Sequence, residues 1–370
     1  MIKKTKLRLG VVAATAVAVL AFGAATPAYA DPSGFKPLNG AGSDTTQDVM
    51  SGVASAVTAI GSYDAIGSAT IQTTSGGPIF TRPNGSTSGV QALSASVNNT
   101  GTRVFPATAA GVSITGQLDF ARSSSAPSSS FVGTDLTFIP FARDAVTFAV
   151  SLASDFPRDI ALGSSAQDSL SPAPFTLRNI YRGTVTTFVD AELNPVTIRP
   201  IIPQTGSGTR AFWLSALGLT ETTIIGTPTT DIGNTAQEHT GTYIKNAGDI
   251  APFSVAQYIA QGNYQVLPTS IVERRGNVAL GNVGTVKPML LTAGGGVELN
   301  TAFPINRLVF NVVQTSRLSG ASAADLQLQA TFAGSGSTVC AATAQIKQYG
   351  FGTIGGLCGN TTTYKQAFRY

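Results

Sequence analysis

The sequence predicts an α/β protein of two domains, and three observations carry that reading. Strand-like and helix-like segments alternate along the chain, the pattern of folds that cover a sheet with helices; it further predicts parallel sheets. Once an N-terminal leader is set aside, roughly 340 residues remain, a length that suits two domains. Hydrophobic residues make up 43% of the chain, ample for real cores, while charged residues reach only 11%, so Ser, Thr, Gly and Ala must furnish the surface.

The leader is residues 1–30. "MIKKTKLRLG" is basic, "VVAATAVAVLAFGAA" is apolar but short for a membrane span, and Ala28-Tyr29-Ala30 is a small-x-small cleavage signal before Asp31. The reading is a secretory signal peptide, hence a secreted or periplasmic product with no membrane span after cleavage. Neither cysteine follows the leader, so a lipid attachment point is not expected. The leader carries Lys3, Lys4, Lys6 and Arg8 and no acid. Of 23 basic residues 19 then remain, against 19 acidic, and no basic footprint argues for nucleic acid.

In chain order, "DTTQDVMSGVASAV" places Val49, Met50, Val53 and Val57 on one helical face. Pro83 to Ser130 is rich in small polar residues and reads as loops around short elements. "FARDAVTFAVSL" is a strand entering a second unit, and "FTLRNIYRGTVTTF" a short helix and turn. "VTIRPII" reads as a strand and "RAFWLSALGL" as a helix ending at Gly218. "FPINRLVFNVVQ" is a strand and "SAADLQLQATFAG" a helix. Cys340 and Cys358 are read as one local disulfide in an exported chain.

Three small-polar turns precede helices: "GAGSDTTQD" (Gly40 to Asp48), "NGSTSGV" (Asn84 to Val90) and "TGSGT" before "RAFW". Asp44 or Thr45 could cap the first helix, with Gln47 or Asp48 completing a capping box. Helix N-termini offer unpaired N–H groups and partial positive charge, and Ser and Thr add hydroxyl donors, so such turns can hold an anion.

Catalysis and cofactors find little support. The single histidine, His239, lies in the polar segment "NTAQEHTGTY" and reads as a surface residue. No G-x-S-x-G elbow or Walker pattern occurs, and one histidine with two paired cysteines cannot build a His/Cys metal site. The expectation is therefore not an enzyme, with no cofactor and no metal.

The segments "GAGSDT", "NGSTSGVQAL", "LDFARSSSAP", "FTLRNIYRG" and "TGSGTRAFW", in this order, resemble the phosphate-binding protein family of the high-affinity phosphate ABC importer. "AGDIAPFSVAQYIAQGN" and "FPINRLVFNVV" resemble that family's hinge-approaching segment and returning strand. The resemblance implies two α/β lobes of the periplasmic-binding-protein type with a ligand cleft between them. Residues 31–141 with 304–370 would form one lobe and 142–303 the other. It implies a small, phosphate-like oxyanion as ligand and an ABC permease as partner. By position, the binding residues would be Asp44 and Thr45, Ser86, and Ser207, Gly208 and Thr209.

Two positions depart from that family. Its proton-accepting aspartate falls on Ser124, and its arginine before "GSGT" falls on Pro203. Asp44, where the family has threonine, could return a carboxylate to the cleft. Arg122 could supply the lost positive charge, and Arg210 is a weaker candidate. Arg143 and Asp144, at the hinge, are expected to pair with each other. The reading is a secreted substrate-binding protein for ABC import or scavenging of an oxyanion. The alternative is a secreted, wall-associated interaction protein on a binding-protein scaffold without phosphate specificity.

Overall fold

The computed structural model describes residues 31–97, 101–267 and 271–370. The signal-peptide reading lies outside the described residues.

One strand organises the fold. Leu136–Ser151 is 16 residues long and almost wholly buried, with apolar residues on both faces on either side of Arg143 and Asp144. Its first part pairs antiparallel with Asn306–Gln314, from Leu136 opposite Gln314 to Ala145 opposite Asn306. Its last part pairs antiparallel with Asp249–Ser254, from Val146 opposite Ser254 to Val150 opposite Ile250. The strand thus belongs to two half-sheets in turn. The whole sheet has nine strands. Its path runs Arg199–Pro200, Asp249–Ser254, Leu136–Ser151, Asn306–Gln314, Phe120–Ser123, Leu38–Gly42, Ile60–Ser62.

Parallel pairing holds between Leu38–Gly42 and both its neighbours and between Arg199–Pro200 and Asp249–Ser254. The sheet as a whole is mixed, which corrects the expectation of parallel sheets. A chain that crosses from one lobe to the other and comes back must run two long strands in opposite directions. "VTIRPII" also divides, into Pro195–Thr197 and Arg199–Pro200.

Each lobe has its own apolar filling. In the part between the crossovers, Val146, Phe148, Phe156, Tyr181, Trp213 and Leu214 pack together, with the Tyr181 and Trp213 rings 5.6 Å apart and edge-on. In the other part, Val49, Met50, Val53, Phe332 and Tyr349 fill one face of the sheet, and Val90, Leu93, Phe138 and Phe310 the other. Helix Val255–Gly262 serves both parts. Val255 and Ile259 enter the first core, and Ala256 and Ala260 pack with the Val49 cluster. Cys340 and Cys358 are bonded, closing a loop of 18-residue separation. In the chain-entropy model such a closure contributes about 3 kcal/mol.

The first helix, Gln47–Ala56, follows Thr46 and has no side-chain cap, so neither Asp44 nor Thr45 caps it. Both side chains are turned to other partners.

Candidate functional site

The three small-polar turns meet between the lobes. Gly42, Gly85 and Gly206 take positive φ angles of 130°, 88° and 88°, which lets each turn reverse sharply. The second turn opens helix Ser86–Ser96, and the third opens helix Gly208–Ala216. Ser207 caps the latter, its hydroxyl accepting from the amides of Thr209 (3.1 Å) and Arg210 (3.3 Å). Direct bonds join the turns across the lobes. Thr87 N donates to Gly206 O at 3.3 Å, Gln204 Nε2 to Asn84 Oδ1 at 3.0 Å, and the Thr45 and Thr209 hydroxyls lie 3.3 Å apart. The Ser86 and Ser124 hydroxyls are 3.2 Å apart, and Ser124 N donates to Ser86 Oγ at 2.9 Å. A Cβ on Gly208 would come within 2.5 Å of both hydroxyls, so the two lobes could not approach here with a larger residue.

Asp44, Thr45, Ser86, Ser124, Ser207, Gly208 and Thr209 are therefore brought together. Arg122 is not. It is fully buried beneath the first turn, donating to Ser43 O (3.2 Å), Ser62 Oγ (3.0 Å) and Tyr63 O (2.6 Å). Burial lowers its pKa to about 10, partly offset by Asp64 and Asp31. Its work is to tie the first turn to the end of strand Ile60–Ser62. Arg210 points away, to Glu221 and Asp231.

The centre holds residues the motifs did not indicate. Glu238 is fully buried and accepts hydrogen bonds from Thr45 Oγ1 and from Ser207 Oγ, the latter at 3.0 Å. Arg307 Nη2 donates to Thr209 Oγ1 at 2.7 Å and to Asp144 Oδ2 at 2.9 Å. Asp144 Oδ1 accepts from Ser254 Oγ (3.0 Å) and Ala256 N (3.1 Å). Gln257 Nε2 donates to Thr45 O at 2.7 Å. The expected Arg143–Asp144 pair does not form. Strand neighbours face opposite sides, so Asp144 meets Arg307 directly across the ladder, and Arg143 donates to Asn306 Oδ1 at 2.6 Å. His239, expected at the surface, is 1% exposed, with Nδ1 at 3.4 Å from Asp44 Oδ2.

The family description "PBP superfamily domain" matches residues 24–296. The chain belongs to the PBP superfamily. Solved structures similar to this PBP chain include an ABC-type phosphate transport receptor from Vibrio cholerae, 15% identical with a TM-score of 0.50, covering 86% of this chain and 100% of that one. A phosphate binding protein from Stenotrophomonas maltophilia is 13% identical with a TM-score of 0.47, covering 86% and 90%. No curated protein matches. The two-lobed architecture with a cleft between lobes is that of the periplasmic-binding-protein fold.

The electrostatics of this PBP cleft are set by burial. Burial raises the Asp44 and Asp144 carboxyls above the usual range, the latter held back by Arg307. Burial and the nearby Asp44 raise Glu238. Asp44 Oδ2 has no hydrogen-bond partner among the described residues. Burial, then Arg274, lowers His239 to about 4, so its imidazole is neutral at pH 7.

Outside this centre a cavity of about 680 Å³ opens, with Ser86, Ser124, Ser207, Phe212, Arg307 and Arg369 among its lining residues. Arg307 is 6% exposed, and its Nη1 has no hydrogen-bond partner among the described residues. Arg369 stacks 4.9 Å from the Phe131 ring, with no carboxylate partner among the described residues. Among the described residues no His/Cys/Asp/Glu cluster could hold a metal ion, and no helix is long and apolar enough to cross a membrane.

Proposed function

We propose that the chain is an exported solute-binding protein that captures an oxyanion-bearing solute between its lobes, for delivery to an ABC permease or for scavenging. The observation that carries this reading is the convergence on one cavity of Ser86, Ser124 and Ser207, a helix start at Gly208 and Arg307, whose buried Nη1 has no partner among the described residues. Hydroxyls and helix N-termini bind oxyanions with little net charge, and a guanidinium adds directed donors. Both lobes contribute, so a ligand there favours the closed form over any open one. The role is binding rather than catalysis.

A thermal-shift screen of ligand-stripped protein tests the reading, with inorganic phosphate, sulfate, phosphonates and sugar phosphates as probes. A true ligand at 100 times its Kd stabilises by about 2.7 kcal/mol. The effect should weaken in Ser86→Ala and Ser124→Ala. No shift with any oxyanion would reject the proposal in favour of a non-transport role for the scaffold.

A further inference from the structure

The hydroxyls of Thr45 and Ser207 come from opposite lobes, and Ser207 marks the positive end of helix Gly208–Ala216. Both are already committed, because they donate to one internal carboxyl, that of Glu238. The segment that carries Glu238 is fixed by its backbone. Glu238 O accepts from Ser254 N at 2.9 Å, His239 O from Gln261 Nε2 at 2.7 Å, and Ala236 O from Gln204 N at 2.7 Å. Glu238 therefore sits where an anion held by these donors would sit. The surroundings reinforce this. A free oxyanion at that spot would lie beside the buried carboxyls of Asp44 and Glu238, both bonded to Thr45, while the guanidinium of Arg307 is already paired with Asp144. Uncompensated buried charge of this kind is strongly disfavoured. The donor-bearing residues left over line the outer cavity: Ser86, Ser124, Arg307 and Arg369. That space is of the size that organic ligands fill.

We propose that Glu238 is a built-in anion that occupies the inner oxyanion position, so that the protein rejects free phosphate and sulfate and admits only an oxyanion carried on a larger organic body, bound in the outer cavity. This rests on the solute-binding reading above and narrows its ligand class.

The test is calorimetric titration of wild type, Glu238→Ala and Glu238→Gln with inorganic phosphate, sulfate and glucose 6-phosphate. Wild type is expected to show no saturable binding of either inorganic ion at millimolar concentration. Glu238→Ala, shown folded by circular dichroism, should gain at least about tenfold in phosphate affinity. Glu238→Gln fills the same space and should still exclude phosphate. The proposal is overturned if wild type binds phosphate as tightly as Glu238→Ala, or if folded Glu238→Ala gains nothing. Should Glu238→Ala not fold, wild type decides: saturable phosphate binding that Ser207→Ala abolishes overturns the proposal, and its absence upholds it. If Glu238→Ala gains phosphate while wild type binds no organic oxyanion, the built-in anion stands and the transport reading is what fails.

Discussion

Asp144 and His239 show how little a residue's neighbours in sequence say about its partners. Asp144 follows Arg143, yet the strand turns them to opposite faces, and Asp144 finds Arg307 more than a hundred residues away. His239 lies among polar residues and is nevertheless sealed against Asp44, since Ala236, Glu238 and His239 turn inward. Its depressed pKa has a consequence for stability. The unfolded chain takes up a proton near pH 6.5, and the folded chain takes it up only near pH 4. This group's contribution is therefore full above pH 6.5 and is lost as pH falls towards 4. The raised carboxyls Asp44 and Glu238 act in the opposite sense, because burial raises their folded-state pKa above that of the unfolded chain. The difference between wild type and His239→Gln separates the two effects. In urea denaturation at a series of pH values, that difference should shift against the wild type by roughly 3 kcal/mol between pH 7 and pH 4. A constant difference would show that His239 is not held neutral.

At the scale of elements, helices are positioned by close approaches that only glycine permits. Gly89 of helix Ser86–Ser96 lies against Gly42, and a Cβ there would come 2.6 Å from the Gly42 Cα. That contact sets the helix start, and with it Ser86, at the cleft. Gly52 in helix Gln47–Ala56 faces the buried ring of Tyr349, which an added Cβ would meet at 2.1 Å. Replacing a mid-helix glycine by alanine ordinarily stabilises by up to about 1 kcal/mol. Here the sign should reverse. Gly52→Ala is expected to destabilise by about 1–3 kcal/mol, the usual cost of overpacking a filled core, read as a lower denaturation midpoint. A stabilised variant would mean that Tyr349 can move aside. Of the helical face legible in the spacing, Val49, Met50 and Val53 are fully buried, whereas Val57 follows the helix as its C-cap and is half-buried. The glycine contacts were not legible, because they depend on which element lies opposite.

For the whole molecule, the Arg307–Asp144 pair matters because it ties together the two crossover strands where the lobes join. Removing one partner leaves the other charge buried and unpaired, which typically costs about 3–5 kcal/mol. Arg307→Leu should show a loss of that order in global unfolding. The double variant Arg307→Leu with Asp144→Leu should recover much of it, since no charge is then stranded. If the double variant is as unstable as the sum of the single ones, the pair does not act as a unit. The shared helix Val255–Gly262, with residues in both cores, further couples the lobes.

Sequence by itself determined the α/β class, the main helices and strands, and the three small-polar turns, whereas their facing one another was implied by the resemblance to phosphate-binding proteins. The first three rest on local patterns: apolar periodicity, glycine at sharp turns, hydroxyls at helix starts. It also suggested Cys340 with Cys358, close in the chain and bonded in the structure. Only the tertiary structure decided what fills the cleft. Arg122 left the candidate set because it lies buried beneath the first turn, bonded to Ser43 O, Ser62 Oγ and Tyr63 O, and Glu238, Asp144 and Arg307 entered it. A buried charge is placed by partners that are distant in the chain. Their cost in isolation is large, so only the assembled fold, with both lobes together, makes those positions tenable.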